Sequence, residues 1–228
     1  MVRPMLWVHW KQIRLALVPL MVASFGMPLL AVDGLGTPPG AAAPSLEAYR
    51  IVSAYEVWLP YFPTLAFAIG MALALSSWNW DHQLNHVYAL SLPVTRAEYT
   101  MLKLTAGGLL ALLPAASMWL GGHLAVASIT LPEGLNAYPD ELAFRFLLAI
   151  LLSYALLFAM AAGTVKTTAW VLTVFVSIVL IGSVGSDLLE PFVAPIARTN
   201  LLEVIAEWAT SRGGPFEVFL GSWALIDV

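Results

Sequence analysis

The sequence predicts an all-α membrane protein, a polytopic helical bundle with six transmembrane helices that follow an amphipathic amino-terminal helix. Of its 228 residues, 60% are hydrophobic and only 11% are charged. A soluble domain is about 45–50% apolar and about 25% charged. The mean hydropathy is +0.84. Five charge-free stretches are each close to the roughly 20 residues that a helix needs to cross a bilayer.

The spans follow these charge-free stretches. Unbroken apolar runs indicate helices, because the strands of a membrane β-barrel alternate apolar and polar residues over about ten positions. Lys166 alone separates the fourth span from the fifth, which predicts a tight hairpin. The apolar stretch 216–228 would be only about 20 Å long as a helix. We expect it to be the start of a sixth span that the sequence does not complete, with a re-entrant segment as the alternative. The five complete spans are 15–32, 57–77, 104–130, 144–164 and 167–185.

Residues 1–14 combine tryptophans with basic side chains before the first span begins. This composition is typical of a helix lying in the membrane interface, where Trp anchors and Lys or Arg reach toward the headgroups. A secretory signal peptide is the alternative, but its charged region would then have to contain both tryptophans. We therefore predict an uncleaved interfacial helix. Its anchors are Trp7, Trp10, Lys11 and Arg14.

The charged residues predict a cytoplasmic amino terminus and one transmembrane domain over residues 1–228. Six of the ten Lys and Arg residues fall on the side that holds the amino terminus, and eleven of the 14 carboxylates fall on the other. Lys and Arg accumulate on the cytoplasmic side of span ends. We therefore place the loop 78–103 and Lys166 in the cytoplasm and the segment 187–215 outside.

Composition also excludes several function classes. The chain has no cysteine, which excludes thiolate metal sites and cysteine nucleophiles. Its net charge of −4 argues against a nucleic-acid partner, which would need clustered basic residues. No GxxxxGK[ST] phosphate loop is present, and the run Gly163-Thr-Val-Lys-Thr lacks the second glycine. Since no serine has a paired base and no span holds an acidic pair, we expect neither catalytic residues nor a metal site.

The loop 78–103 is the most informative segment. Asp81 to Leu92 can form a short helix, which Pro93 ends. Thr95 can cap a second helix, because Glu98 follows three positions later as in a capping box. We therefore predict a helix, a sharp turn and a second helix, with polar groups projecting into the cytosol as a docking surface or a solvated connector.

The histidines are the remaining candidates for metal or pathway chemistry. His82 and His86 are four residues apart on one helix face, but no third ligand is evident beyond Asp81. A solvated loop therefore explains them better than a metal site. His123 is the ionisable side chain that lies well inside an apolar run, which makes it a candidate pathway residue. Its position near the outer end also allows it to reach the interface.

The run LSLPVTRAEY at residues 90–99, followed by a lysine, resembles the cytoplasmic loop of ABC-2-type transporter permeases. In that family an acidic residue precedes a leucine-rich pattern that ends in Pro-Val-Ser-Arg, and a lysine opens the third span. This chain has Asn85-His86 where relatives often carry Gly-Thr. The positions that match the pattern are Asp81, Pro93, Arg96 and Lys103.

The resemblance implies that the chain is the membrane-spanning permease subunit of an ABC exporter in a bacterial or archaeal cytoplasmic membrane. Two copies of a separate ATPase would hold ATP and Mg²⁺, so that this chain itself binds no cofactor. A second permease, identical or related, and membrane lipids are the other implied partners. A hydrophobic or amphipathic substrate is expected. The implied coupling residues are Asp81, His82, Asn85, His86, Pro93, Thr95, Arg96, Glu98, Lys103 and Lys166.

The outer segment 187–215 carries a second helical pattern. Leu201, Ile205 and Trp208 fall on one face of a helix. The segment is similar to the outer or re-entrant helices that lie between spans five and six in the same family. Those three residues and His123 are therefore candidates for an outer gate. An interfacial helix resting on the outer leaflet is the alternative.

Two other function classes remain open. A secondary transporter would need intramembrane carboxylates for ion coupling and an internal repeat, and neither is apparent in the sequence. A non-transporting assembly or sensor subunit would use the same bundle without a pathway.

Overall fold

The computed structural model describes residues 2–33, 52–53, 55–83, 95–129, 131, 135–162, 166, 169–170, 173, 217–220 and 223–227. Four of the described helices are long and apolar enough to cross a membrane, which confirms the predicted helical membrane fold at this level. The helices are α1 (Val2–Val32), α2 (Tyr61–Gln83), α3 (Arg96–Ala127), α4 (Pro139–Ala161) and α5 (Glu217–Leu220), and the strands are β1 (Asn136–Ala137) and β2 (Ile226–Asp227). The outer segment 187–215 and most of the predicted fifth span lie outside the described residues.

The chain divides into two compact units. The first comprises residues 1–158 and 222–228, and the second comprises residues 159–221. The first unit contains α1, α2, α3, most of α4 and both strands.

The predicted interfacial segment and first span form one continuous helix. α1 runs without interruption from Val2 to Val32, although a boundary near residue 14 is expected from the sequence. The Trp7 side chain is exposed, and Lys11 Nζ lies 4.7 Å from the centroid of its ring. Arg14 is exposed and Trp10 is half-buried. The predicted anchors thus belong to the first turns of the same helix that continues into the span.

The second and third spans extend beyond their predicted limits at the ends that adjoin the loop 78–103. α2 begins at Tyr61 after a turn, rather than at residue 57, and its last turn includes Asp81. α3 begins at Arg96, so the second helix predicted for the loop and the third span form one helix. No proline or glycine lies between residues 96 and 103 to separate this helix from the span.

The start of α3 confirms the predicted capping box. The Thr95 Oγ1 atom accepts a hydrogen bond from the Glu98 backbone N–H at 3.2 Å. In return, the Thr95 backbone N–H donates to Glu98 Oε2 at 3.0 Å. Two backbone groups that a helix amino terminus would leave unpaired are thereby satisfied, which fixes the first turn of α3.

Glycines allow the helices of the first unit to approach closely. A Cβ atom added at Gly121 of α3 would overlap the backbone carbonyl of Phe25 in α1. A Cβ atom at Gly107 would likewise overlap the ring and hydroxyl of Tyr154 in α4. Backbone contact through small residues is a common means of helix association in membranes.

The segment 223–227 pairs with the chain just before α4. The Tyr138 backbone N–H donates to the Leu225 carbonyl at 2.8 Å, and β1 and β2 form a short antiparallel ladder. Among its described residues, the predicted start of a sixth span is helical only over Glu217–Leu220. The backbone groups of residues 225–227 bond outside their own segment, so this part does not continue as a helix.

Tyr55 holds the same segment through its hydroxyl group. The hydroxyl donates to the Trp223 carbonyl at 3.0 Å and accepts from the Leu225 backbone N–H at 3.0 Å. Burial raises the pKa of the Tyr55 hydroxyl above its ordinary value. The group therefore stays protonated and serves as both donor and acceptor.

Replacing Tyr55 with Phe is expected to lower the free energy of unfolding by about 1–3 kcal/mol, because it removes the hydroxyl that bonds to two buried backbone groups. Hydrogen exchange should show faster exchange at the Leu225 amide. Tyr61→Phe is the matched control, since Tyr61 is exposed, and it should change neither quantity. Unchanged exchange at Leu225 in the Tyr55 variant would contradict the proposed role of the hydroxyl.

Candidate functional site

A buried ion pair joins the last turn of α2 to α3. Lys103 Nζ lies 2.5 Å from Asp81 Oδ2, and the two side chains are only 5% and 2% exposed. Lys103 Nζ also donates to the Ser77 carbonyl oxygen at 2.7 Å. The lysine therefore contacts both the carboxylate and the backbone of α2, although Asp81 and Lys103 are 22 positions apart in the sequence.

Aromatic side chains complete the surroundings of the pair. The Tyr99 hydroxyl donates to Asp81 Oδ1 at 3.0 Å and also lies 3.2 Å from Oδ2. The Trp78 and Tyr99 ring centroids lie 4.5 Å and 4.8 Å from Lys103 Nζ, within cation–π distance. A carboxylate, a carbonyl and two π faces thus surround the ammonium group. Such partners offset the cost of removing a charged pair from water.

The other two helices reach the same cluster. His9 of α1 is buried near the charge of Lys103, and its Nδ1 atom has no hydrogen-bond partner in the described structure. Tyr154 of α4 donates its hydroxyl hydrogen to the Lys103 carbonyl at 3.1 Å. We call His9, Ser77, Asp81, Tyr99 and Lys103 the buried polar network.

Sequence spacing gives a partial signal for this network. Ser77 and Asp81 are four residues apart on α2, and Tyr99 and Lys103 are four apart on α3, so each pair shares one helix face. Two such faces on consecutive helices can meet across a hairpin. His9 had no comparable signal, because it lies on a different helix and far from the others in sequence.

The predicted coupling residues separate into an exposed group and a buried group. Thr95, Arg96 and Glu98 are exposed on the first turn of α3. Asp81 and Lys103 are buried and paired with each other, so they do not offer their charges at the surface.

The remaining coupling candidates are placed only in part. His82 lies in the last turn of α2, and Lys166 is exposed in the second unit. Asn85, His86 and Pro93 lie outside the described residues.

At the opposite end of α3, His123 contacts Asp140 of α4. The His123 Nε2 atom lies 3.0 Å from Asp140 Oδ1, and the Trp119 indole N–H donates to the same oxygen at 2.6 Å. The His123 and Asp140 side chains are 44% and 74% exposed. His123 therefore belongs to a surface cluster of α3 and α4. The other outer-gate candidates, Leu201, Ile205 and Trp208, lie outside the described residues.

The described part of the chain holds no group of three His, Asp or Glu residues that could bind a metal ion. The strongest candidate site is therefore the buried polar network together with the exposed turn that begins α3. No protein-family model, curated protein or solved structure matches the chain.

Proposed function

We propose that the chain is the permease subunit of an ATP-driven exporter and that it works with a separate ATPase. The observation that carries this proposal is the pairing of Asp81 with Lys103. These are the two charged positions at the ends of the segment that resembles the ABC-2-type cytoplasmic loop. The pair is buried about two helical turns after the exposed, capped start of α3. This arrangement suits a loop through which a partner displaces the helices.

In this proposal the chain has the five complete spans predicted from the sequence, a cytoplasmic amino terminus and an interfacial first segment, in a bacterial or archaeal cytoplasmic membrane. Two permease subunits, identical or related, enclose the pathway. ATP and Mg²⁺ bind to the two ATPase subunits, which must bind one state of the bundle better than the other to shift it. An apolar span composition suits a hydrophobic or amphipathic substrate.

Charge reversal at Arg96 tests this proposal. Arg96 is exposed on the first turn of α3, so Arg96→Glu should leave folding intact. A docking surface on the ATPase that is complementary to Arg96 would carry negative charge and would repel the glutamate. The amount of copurified ATPase should therefore fall by about tenfold. The measurement is affinity purification of the tagged chain from its native membranes, followed by mass spectrometry for a protein with a GxxxxGK[ST] motif.

Arg96→Lys is the matched control, because it keeps the charge and should retain the ATPase. Recovery of no ATPase with the unmodified chain would contradict the proposed function. Equal recovery with Arg96→Glu and Arg96→Lys would show that this turn is not the docking surface.

A proton-coupled secondary transporter is the second candidate, because the buried polar network places a carboxylate, a lysine and a histidine together inside the helical unit. Intramembrane ionisable groups are the elements that proton relays use. The purified chain alone in liposomes distinguishes the two functions. A secondary transporter should take up protons in response to a membrane potential and lose this activity in Asp81→Asn, whereas a permease without its ATPase should show no uptake.

A further inference from the structure

The exposed first turn of α3 and the buried polar network lie on one uninterrupted piece of helix. Arg96 and Lys103 are about 10 Å apart along the axis at 1.5 Å per residue. The residues between them include no glycine or proline that would let the helix bend. A displacement of the first turn therefore moves the Lys103 backbone as well.

From Lys103 the contacts pass to α2. Its ammonium group donates to the Asp81 carboxylate and to the Ser77 backbone carbonyl of α2. These contacts are directional and fix the axial position of α3 against α2. Apolar side chains of similar size would fill the same space but would allow the helices to slide, because hydrophobic contact is non-directional.

We infer that Asp81 and Lys103 are positioning residues that make the adjoining ends of α2 and α3 move as one body when a partner displaces the first turn of α3. The identity of that partner, an ATPase, rests on the proposed function. The mechanical connection is a property of the chain alone and is measured without the partner.

Spin labels provide the measurement. The chain has no cysteine, so Asn79→Cys and Ala97→Cys introduce two unique labelling sites at exposed positions of α2 and α3. The full chain is labelled with nitroxide, placed in nanodiscs of phosphatidylcholine and phosphatidylglycerol, and its label distances are measured by electron paramagnetic resonance. We expect a narrow distance distribution in the parent and one about twice as wide in D81N/K103M.

The double variant removes both charges, so it leaves no uncompensated buried charge and should fold. Ser153→Ala is the matched control, because Ser153 is a buried hydroxyl of α4 outside the buried polar network. It should retain the parent width. Tyr99→Phe keeps the ion pair and removes the hydrogen bond from the phenol to Asp81, so an intermediate width is expected. A parent-like width in D81N/K103M overturns the inference, and if that variant does not fold, a parent-like width in Asp81→Asn, which also breaks the ion pair, does so.

The complex with the ATPase separates this inference from the proposed function. D81N/K103M should retain the ATPase, unlike Arg96→Glu, while the ATP-dependent change in label distance should fall by about fivefold. Failure to recover any ATPase contradicts the proposed function and leaves the width test to decide the inference. Recovery of the ATPase with a parent-like width in the double variant contradicts the inference alone.

Discussion

Replacing Lys103 with Met is expected to lower the free energy of unfolding by about 3–5 kcal/mol, because it leaves the Asp81 carboxylate buried without its counter-ion. Met retains most of the length of the lysine stem, so the loss comes chiefly from the charge and its hydrogen bonds. The Tyr99 hydroxyl still donates to Asp81 but cannot neutralise it. Equilibrium unfolding in mixed dodecyl maltoside and dodecyl sulfate micelles measures the change.

The double variant D81N/K103M is the control for this result. Replacing a whole buried pair is often nearly neutral, whereas removing one partner is costly. We therefore expect the double variant to recover most of the stability that Lys103→Met loses. If the single and double variants are equally unstable, hydrogen bonding or packing, rather than charge compensation, dominates at this position.

Contacts between residues close in sequence could be predicted, whereas contacts between residues distant in sequence could not. The capping box is predictable because Thr95 and Glu98 are three positions apart and their preference is local. The burial of Asp81 against Lys103 depends on the packing of two helices, and the four-residue spacings only indicate that two polar faces exist. A solvent-exposed docking role is the simpler expectation for charges in a loop, but α2 and α3 extend into the two ends of that loop and bury both side chains.

Two other features show the same limit. The tryptophans and basic residues predict that residues 1–14 lie in the interface and that a boundary follows them. No proline or glycine between residues 5 and 18 breaks the helix, however, and α1 is continuous. The ladder of β1 and β2 joins segments about 90 residues apart, and Tyr55 binds Leu225 across 170 positions. Neither strand is longer than two residues, so periodicity gives no indication of them.

Replacing Gly121 with Ala is expected to lower the free energy of unfolding by about 3 kcal/mol, the upper range for overpacking a close contact. The added Cβ atom would overlap the Phe25 carbonyl, which belongs to the backbone and cannot rotate away as a side chain could. α1 and α3 must therefore separate along their shared contact. Unfolding in mixed micelles gives the energy, and a spin-label pair on exposed positions of the two helices gives the separation.

Gly108→Ala is the matched control on the same helix. The nearest atom to a Cβ at that position is Leu151 Cδ2 at 3.9 Å, an ordinary van der Waals distance. Since alanine favours helix over glycine by up to about 1 kcal/mol, this variant should be neutral or stabilising. Gly26→Ala, which meets nothing within 4 Å, extends the control to α1. If the free energy of unfolding of Gly121→Ala matches that of these two variants, α1 and α3 do not approach each other closely at Gly121. A close backbone contact cannot accommodate a methyl group unless one of the helices moves.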